Sequence, residues 1–220
     1  RPSTPVLCTE ENPPQVLLKA ARKLAAPVYR RGRDFDIISS KASQKQQLSF
    51  SISGHSIELE RAAMPGKHQL DNLAAALAGL LIMYPDGDSE TGKLSKAIAE
   101  CRVTGRLQRF SRSPQILLDV GHNELAAQAI AEYMAQANPA KITCVLAMLA
   151  DKSAEAVALA LNHVCRRWLC SESPGDRGQS GEVLASRIRS ALPKAEVSHF
   201  KSIGESLNEA ISTNEPDESI

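Results

Sequence analysis

Ile116-Leu117-Leu118-Asp119-Val120-Gly121-His122-Asn123 is an apolar run that stops abruptly in an acid, a glycine, an imidazole and an amide. A run of this length between breakers reads as a buried strand from Gln115 to Val120, with the polar cluster at its C-terminal end. Leu125, Ala126, Ile130, Ala131, Tyr133 and Met134 then recur at helical spacing, so a helix from Asn123 to Gln136 follows. Asn123 suits its N-cap, and Glu124 suits the positive end of the helix dipole. Ligands of open α/β sheets bind at this kind of edge. The plain alternative is a capped strand-to-helix turn in which Asp119 and Asn123 only satisfy backbone groups.

Downstream the pattern repeats. Strands are expected at Ile142–Leu146, Arg167–Cys170 and Glu196–Phe200, and helices at Ala154–His163, Glu182–Leu192 and Ile203–Ile211. This alternation is the mark of βαβ units and a mostly parallel sheet. Upstream, Leu107–Ser111 pairs with the quoted strand around a Ser-Pro turn. Thr104-Gly105-Arg106 interrupts the pattern, and the domain boundary is placed there, giving residues 1–104 and 105–220.

The first of these segments mixes elements. A strand is expected at Pro5–Cys8 and a helix at Pro13–Ala25. Strands follow at Phe35–Ile38, Leu48–Ile52 and Ile57–Leu59, the last two joined by a hairpin at Ser53-Gly54-His55-Ser56. Polar Lys41–Gln47 reads as a loop. Ala/Leu-rich Leu73–Met83 reads as a helix with Asn72 and His68 near its start, and Leu94–Cys101 as another.

The chain of 220 residues is 43% hydrophobic and 23% charged, ordinary for a globular protein, with room for one large domain or two small ones. Net charge is +1 and aromatics make up 4%, so neither a nucleic acid nor a membrane surface is favoured as a partner. The five cysteines lack CxxC spacing, which argues for reduced core thiols in a cytoplasmic protein. No segment reads as a signal peptide or membrane span. Pro65-Gly66-Lys67 and Thr91-Gly92-Lys93 lack the rest of a phosphate-binding P-loop, and GxGxxG and nucleophile-elbow motifs are missing. Arg1-Pro2-Ser3 and the terminal Glu218-Ser219-Ile220 both read as interior to a longer chain.

Three segments remain as candidates for chemistry. Asn72 begins a helix, where an amide is a cap or a ligand contact. Arg106 sits in the linker, where its fork of donors suits phosphate. Asp119 ends a strand, where it can accept from ribose hydroxyls, and His122 can donate to developing phosphate charge.

In this order the segments resemble the C-terminal half of the folylpolyglutamate synthase/dihydrofolate synthase family, of the Mur ligase superfamily. Thr104-Gly105-Arg106-Leu107-Gln108 is similar to the family's Pro-Gly-Arg-Phe/Leu-Gln. Leu118-Asp119-Val120-Gly121-His122-Asn123 is similar to its Asp-x-Ala-His-Asn-Pro box. Asn72 in Leu70-Asp71-Asn72-Leu73-Ala74-Ala75-Ala76 is similar to its Pro-x-Asn-Ala-x-x-Ala segment. Met148-Leu149-Ala150-Asp151-Lys152 resembles its Met-x-x-Asp-Lys, and Pro174-Gly175-Asp176-Arg177-Gly178 a further family loop. Thr104, Gly121 and Glu124 depart from the usual Pro, Ala and Pro.

The resemblance implies an α/β fold: the end of a Mur-ligase-type ATPase domain, then a Rossmann-like ligase C-terminal domain that lacks its last strand and helix. It implies ATP-dependent ligation of L-glutamate to dihydropteroate or to folate polyglutamates through an acyl phosphate, with Mg²⁺. Asn72, Arg106 and Asp119 would contact ATP, with Asn72 on the adenine side, Arg106 on the phosphates and Asp119 on the ribose or base. His122 would sit near the transferred phosphoryl group or only shape its loop. The magnesium ligands and phosphate cradle of the family lie before Arg1, so the chain alone is expected to be inactive. A cytoplasmic monomer is expected. A Mur-type peptidoglycan ligase and a non-catalytic nucleotide-binding module are the competing readings.

Overall fold

A computed structural model describes residues 1–42, 45–112, 114–137, 142–215 and 218–220. The chain divides at 102/103, into Arg1–Arg102 and Val103–Ile220; the boundary read from sequence is at 104/105.

In the first unit, β1 (Val6–Cys8) and β2 (Val28–Arg30) pair in parallel, separated in sequence by α1 (Gln15–Lys23). Strands β3 (Phe35–Ala42), β4 (Lys45–Ile52) and β5 (His55–Leu59) form an antiparallel meander. Ser53 and Gly54 both have positive φ, at 49° and 86°, the backbone of a two-residue hairpin turn whose twist matches its strands. Alternate residues Phe35, Ile37, Leu48, Phe50, Ile52, Ile57 and Leu59 are buried. They form one core with Ala74, Leu77, Ala78 and Leu81 of α2 (Lys67–Met83) and Ile98 of α3 (Thr91–Glu100). Period two on the strands meets a spacing of three and four on the helix, and each stripe buries the other.

Two expectations are corrected in this unit. The loop read over Lys41–Gln47 is strand up to Ala42 and again from Lys45, because the ladder continues through Ser40↔Gln47 and Lys41↔Gln46; residues 43–44 lie outside the described residues. Polar side chains do not break an antiparallel ladder whose bonds are all main chain. The helix read from Leu73 begins at Lys67, after Gly66 turns the chain with φ +99°. Asn72 therefore lies within the helix and is not its cap. Leu70 and Leu73 pack against the core, and this tertiary burial carries the helix through a polar stretch that propensity alone would not favour.

In the second unit, β6 (Gln108–Arg112) and β7 (Gln115–Leu118) form an antiparallel pair. Strands β8 (Ile142–Leu146), β9 (Cys165–Ser171) and β10 (Glu196–Phe200) are parallel. The two groups are joined by the last residues of the chain. Ser219 makes parallel bridges with both Gln115 and Ile142. Leu117 donates its N–H to the Ile220 carbonyl at 2.8 Å, Ile220 donates to Gln115 at 2.8 Å, and Thr143 donates to Ser219 at 2.9 Å. The spatial order is thus β6, β7, residues 218–220, β8, β9, β10, with only β6 antiparallel.

Helices α4 (Glu124–Ala137), α5 (Ala154–Leu161) and α6 (Gly181–Ala191) pack with Trp168 and Cys170 on one face. On the other face Leu169 packs with Ala210 of α7 (Ile203–Thr213) and with Ile220. Successive β9 residues feed opposite layers, as a pleated strand must. Of the cysteines, Cys8 and Cys170 are buried, Cys144 and Cys165 half-buried, and Cys101 exposed, all as free thiols. Burial pushes the Cys170 thiol up to about 12, so it is an inert core residue at neutral pH. Among the described residues no helix is long and apolar enough to cross a membrane.

Removing residues 218–220 deletes the three backbone hydrogen bonds that join them to β7 and β8, the Glu218 bond to the Glu215 carbonyl, the Arg166–Glu218 pair and the buried Ile220 side chain. The expected loss is roughly 3–5 kcal/mol in the stability of this unit. Urea denaturation followed by the fluorescence of Trp168, the single tryptophan of the chain, measures it.

Candidate functional site

Asp119 falls one residue beyond β7, and its carboxylate holds two loops. Oδ2 accepts the Leu107 N–H at 2.8 Å, and Oδ1 accepts the Gly121 N–H at 2.7 Å. The Val120 N–H donates to the Gly105 carbonyl at 2.9 Å. These bonds end the strand at Leu118, two residues before the expected end, because Asp119 and Val120 turn toward the 104–108 segment. The backbone interactions of the plain alternative are therefore present. Each carboxylate oxygen keeps an acceptor site beyond the bond it makes here, so Asp119 can hold its loop and still receive a hydroxyl.

The 104–108 turn is tightly specified. Gly105 has φ +71°, and a Cβ there would lie 2.6 Å from Val120 Cγ1. Leu107 also has positive φ, 42°, yet is 3% exposed. A branched residue in that region is strained, and the buried side chain and the bond to Asp119 keep it there. Gln108 Oε1 accepts the Gly105 N–H at 3.0 Å. Between two anchored neighbours, Arg106 projects from an exposed position. Its guanidinium has no partner among the described residues. An unpaired Arg on a rigid turn can donate paired N–H bonds to phosphate oxygens.

Gly121 leaves room for this carboxylate. A Cβ at 121 would meet Asp119 Oδ1 and Ala126 Cβ at 3.0 Å and Ile130 Cδ1 at 3.1 Å. Asn123 Oδ1 accepts the Ala126 N–H at 2.9 Å, the expected N-cap. Glu124 opens α4 and receives Gln128 Nε2 at 3.1 Å. His122 is exposed, with Nδ1 3.1 Å from the Val120 carbonyl. A carbonyl only accepts, so Nδ1 carries the proton. The neutral ring then offers Nε2 as an acceptor, and donation from Nε2 to phosphate needs the imidazolium.

A second set of side chains knits the next two loops of the sheet edge. Arg187 on α6 grips Glu155 on α5 with two bonds, Nε to Oε1 at 2.7 Å and Nη2 to Oε2 at 2.9 Å. The same guanidinium donates to the carbonyls of Lys152 at 2.7 Å and Ala150 at 3.3 Å. Gln179 donates to Met148 and Leu149 carbonyls at 3.0 and 3.3 Å. Arg177 pairs with Asp151 at 2.7 Å, and Lys152 lies 3.4 Å from the same carboxylate. The Met-x-x-Asp-Lys and Pro-Gly-Asp-Arg-Gly segments are thus one network. Sequence reading found both segments but not their fastener, since Arg187 sits in an unremarkable helix. The Arg187 guanidinium holds the Glu155 carboxyl below its ordinary value, and Arg177 does the same for Asp151.

In the first unit, Asn72 is exposed on α2 and donates from Nδ2 to Gln69 Oε1 at 3.3 Å. Gln69 is 3% exposed, and its Nε2 lies 2.8 Å from His68 Nε2. Asp71 pairs with Arg31, which also holds Asp36. No motif marks Gln69; only its spacing of three from Asn72 on a helix could have drawn attention to it. Among the described residues no group of three His, Cys, Asp or Glu side chains gathers to hold a metal.

The family model described as Mur ligase, glutamate ligase domain, matches residues 105–220. The dihydrofolate synthase/folylpolyglutamate synthase of Haemophilus influenzae is 28% identical, over 92% of this chain and 49% of its own length. The chain spans about half the length of the curated relatives it matches. A Yersinia pestis bifunctional folylpolyglutamate synthase/dihydrofolate synthase, complexed with AMPPNP and Mn, superposes with a TM-score of 0.80 at 23% identity. That match covers 100% of this chain and 50% of the other. A Mycobacterium tuberculosis folylpolyglutamate synthase complexed with ADP gives 0.77 at 25% identity, over 90% and 44%.

Asp119→Asn replaces one acceptor oxygen with a donor facing a backbone N–H, and is expected to destabilise the second unit by about 1–3 kcal/mol. Thermal denaturation read by Trp168 checks this. The lowered Glu155 pKa contributes stability above the ordinary carboxyl value of 4.5 that is lost as pH falls through the folded value. The melting temperature of the second unit should therefore drop on acidification below 4.5, and Arg187→Met should flatten that part of the profile.

Proposed function

The chain belongs to the Mur ligase family, with its glutamate ligase domain at residues 105–220, and from that premise we propose that it is part of an ATP-dependent ligase joining L-glutamate to dihydropteroate or to a folate. The observation that carries this reading is the Asp119 clasp. It fixes the 105–107 turn against the end of β7 and leaves the Arg106 guanidinium free at the sheet edge. Support also comes from relatives named for both activities and from the related Yersinia pestis structure, complexed with AMPPNP and Mn.

In the proposed reaction a carboxylate oxygen of the pterin substrate attacks the γ-phosphorus of ATP. The bond to the bridging oxygen breaks and ADP leaves. The glutamate amine then attacks the carbonyl carbon of the acyl phosphate, inorganic phosphate departs with the C–O bond electrons, and the nitrogen releases a proton to solvent to leave the amide. Arg106 would balance charge on the phosphates, which in this loose kind of transition state is most of what the protein supplies. Asp119 would receive a ribose hydroxyl on its remaining lone pairs. Asn72 would read the base, and its free carbonyl oxygen and second N–H fit an adenine edge. His122, protonated, would donate to phosphate oxygen; neutral, it shapes its loop.

Magnesium, when bound, neutralises phosphate charge; its ligands are proposed to lie outside this chain, as is the phosphate cradle. A cytoplasmic setting and a monomeric state complete the proposal.

In a coupled assay with ATP, dihydropteroate and L-glutamate, the 220-residue chain is expected to release no substrate-dependent ADP. Turnover by the isolated chain would refute the division of labour proposed here. ATP binding to the chain should weaken about tenfold on Arg106→Ala. Binding of a UDP-linked muropeptide in preference to dihydropteroate would transfer the assignment to the peptidoglycan branch.

A further inference from the structure

Resting on the reading that Asn72 faces the nucleobase, we infer that Gln69 is a positioning residue that makes the site select adenine over guanine. The inference starts from a relay of three side chains on the first turns of α2. Asn72 Nδ2 donates to Gln69 Oε1 at 3.3 Å, and Gln69 Nε2 lies 2.8 Å from His68 Nε2. An amide NH₂ only donates, so His68 Nε2 accepts and the ring proton is on Nδ1. That Nδ1 is buried and has no hydrogen-bond partner. Unpaired buried donors are rare, and His68 takes this tautomer because it receives the Gln69 N–H; the direction of the relay is that of the buried Gln69 amide, whose oxygen faces Asn72.

The direction matters because a carboxamide that can turn over has no fixed polarity. Gln69 is 3% exposed, held at both ends, and presents its oxygen to Asn72. Asn72 is thereby fixed with one N–H engaged, leaving Oδ1 and the second N–H for a ligand. Asn72 itself is exposed, and so is Ala76 one turn on, so the amide stands on an open, low face of the helix. Adenine offers an N6 amine donor beside a ring nitrogen acceptor. Guanine puts the O6 acceptor where adenine has its amine. A freely turning amide serves either base, whereas an amide held with its oxygen toward the N6 position serves adenine and repels O6.

The test is a titration of the ¹⁵N-labelled 220-residue chain with ATP and with GTP, following the Asn72 side-chain amide. Wild type should respond to ATP at concentrations about tenfold or more below those needed for GTP, the discrimination a good bidentate base contact supplies. Gln69→Leu removes the hold, and the ratio should collapse toward one. Gln69→Glu keeps an acceptor for Asn72, and the ratio should survive. His68→Ala frees the far end of Gln69 and should reduce the ratio even if the leucine variant fails to fold. A folded leucine or alanine variant with an unchanged ratio overturns the role of Gln69 and leaves Asn72 at the base. A wild-type Asn72 amide that neither nucleotide moves overturns the nucleobase reading itself, and the inference with it.

Discussion

The Asp119 carboxylate is shared between two backbone donors, Leu107 N–H and Gly121 N–H, that are fourteen positions apart in sequence. Much of the geometry at this edge of the second unit follows from this sharing. A carboxylate accepting two N–H bonds is worth more than two neutral bonds, and it offsets two local costs, the positive φ of Leu107 and the tight packing at Gly121. With those costs met, the 105–107 turn cannot drift from the strand end, and Arg106 inherits a fixed origin for its long side chain. Position here is supplied by main chain, and the Arg106 guanidinium has no partner among the described residues.

The neighbouring loops follow the same economy with the roles reversed. There an arginine, not an acid, is the shared group. Arg187 occupies its donors with Glu155 and with the carbonyls of Ala150 and Lys152, so the loop after β8 is shaped by a helix that follows β9. Arg177, Asp151 and Lys152 then sit on a braced surface. Asp119 and Arg187 each turn a loop, normally the softest part of an α/β domain, into a rigid mount.

Much of this was legible in the sequence, because the signals are local. Alternating strands and helices, the abrupt end of Ile116–Leu118 and the Asn123 cap all depend on neighbours within a few residues. What stayed illegible depends on distance. Nothing near Lys41 shows that a ladder will run on to Ala42 and resume at Lys45. Nothing near His68 shows that Leu70 and Leu73 will be drawn into a core and carry the helix through Asn72. Asp119 stands out in the sequence as the acid that ends an apolar run, yet its structural partner, the Leu107 main chain, has no side-chain signature at all. Arg187 and Gln69 act by reaching other loops or other amides, and one-dimensional spacing does not reveal which of many Arg and Gln residues do so.

Residues 218–220 fill the gap between β7 and β8, so Ser219 neighbours Gln115, 104 positions back in the chain, and Ile142, 77 positions back. Such a wide loop costs closure entropy before its contacts repay it and raises contact order. During synthesis the β6–β7 hairpin must wait beside the β8–β10 group until Ile220 has left the ribosome. Until then both groups carry unpaired strand edges of the kind that invite association with other chains.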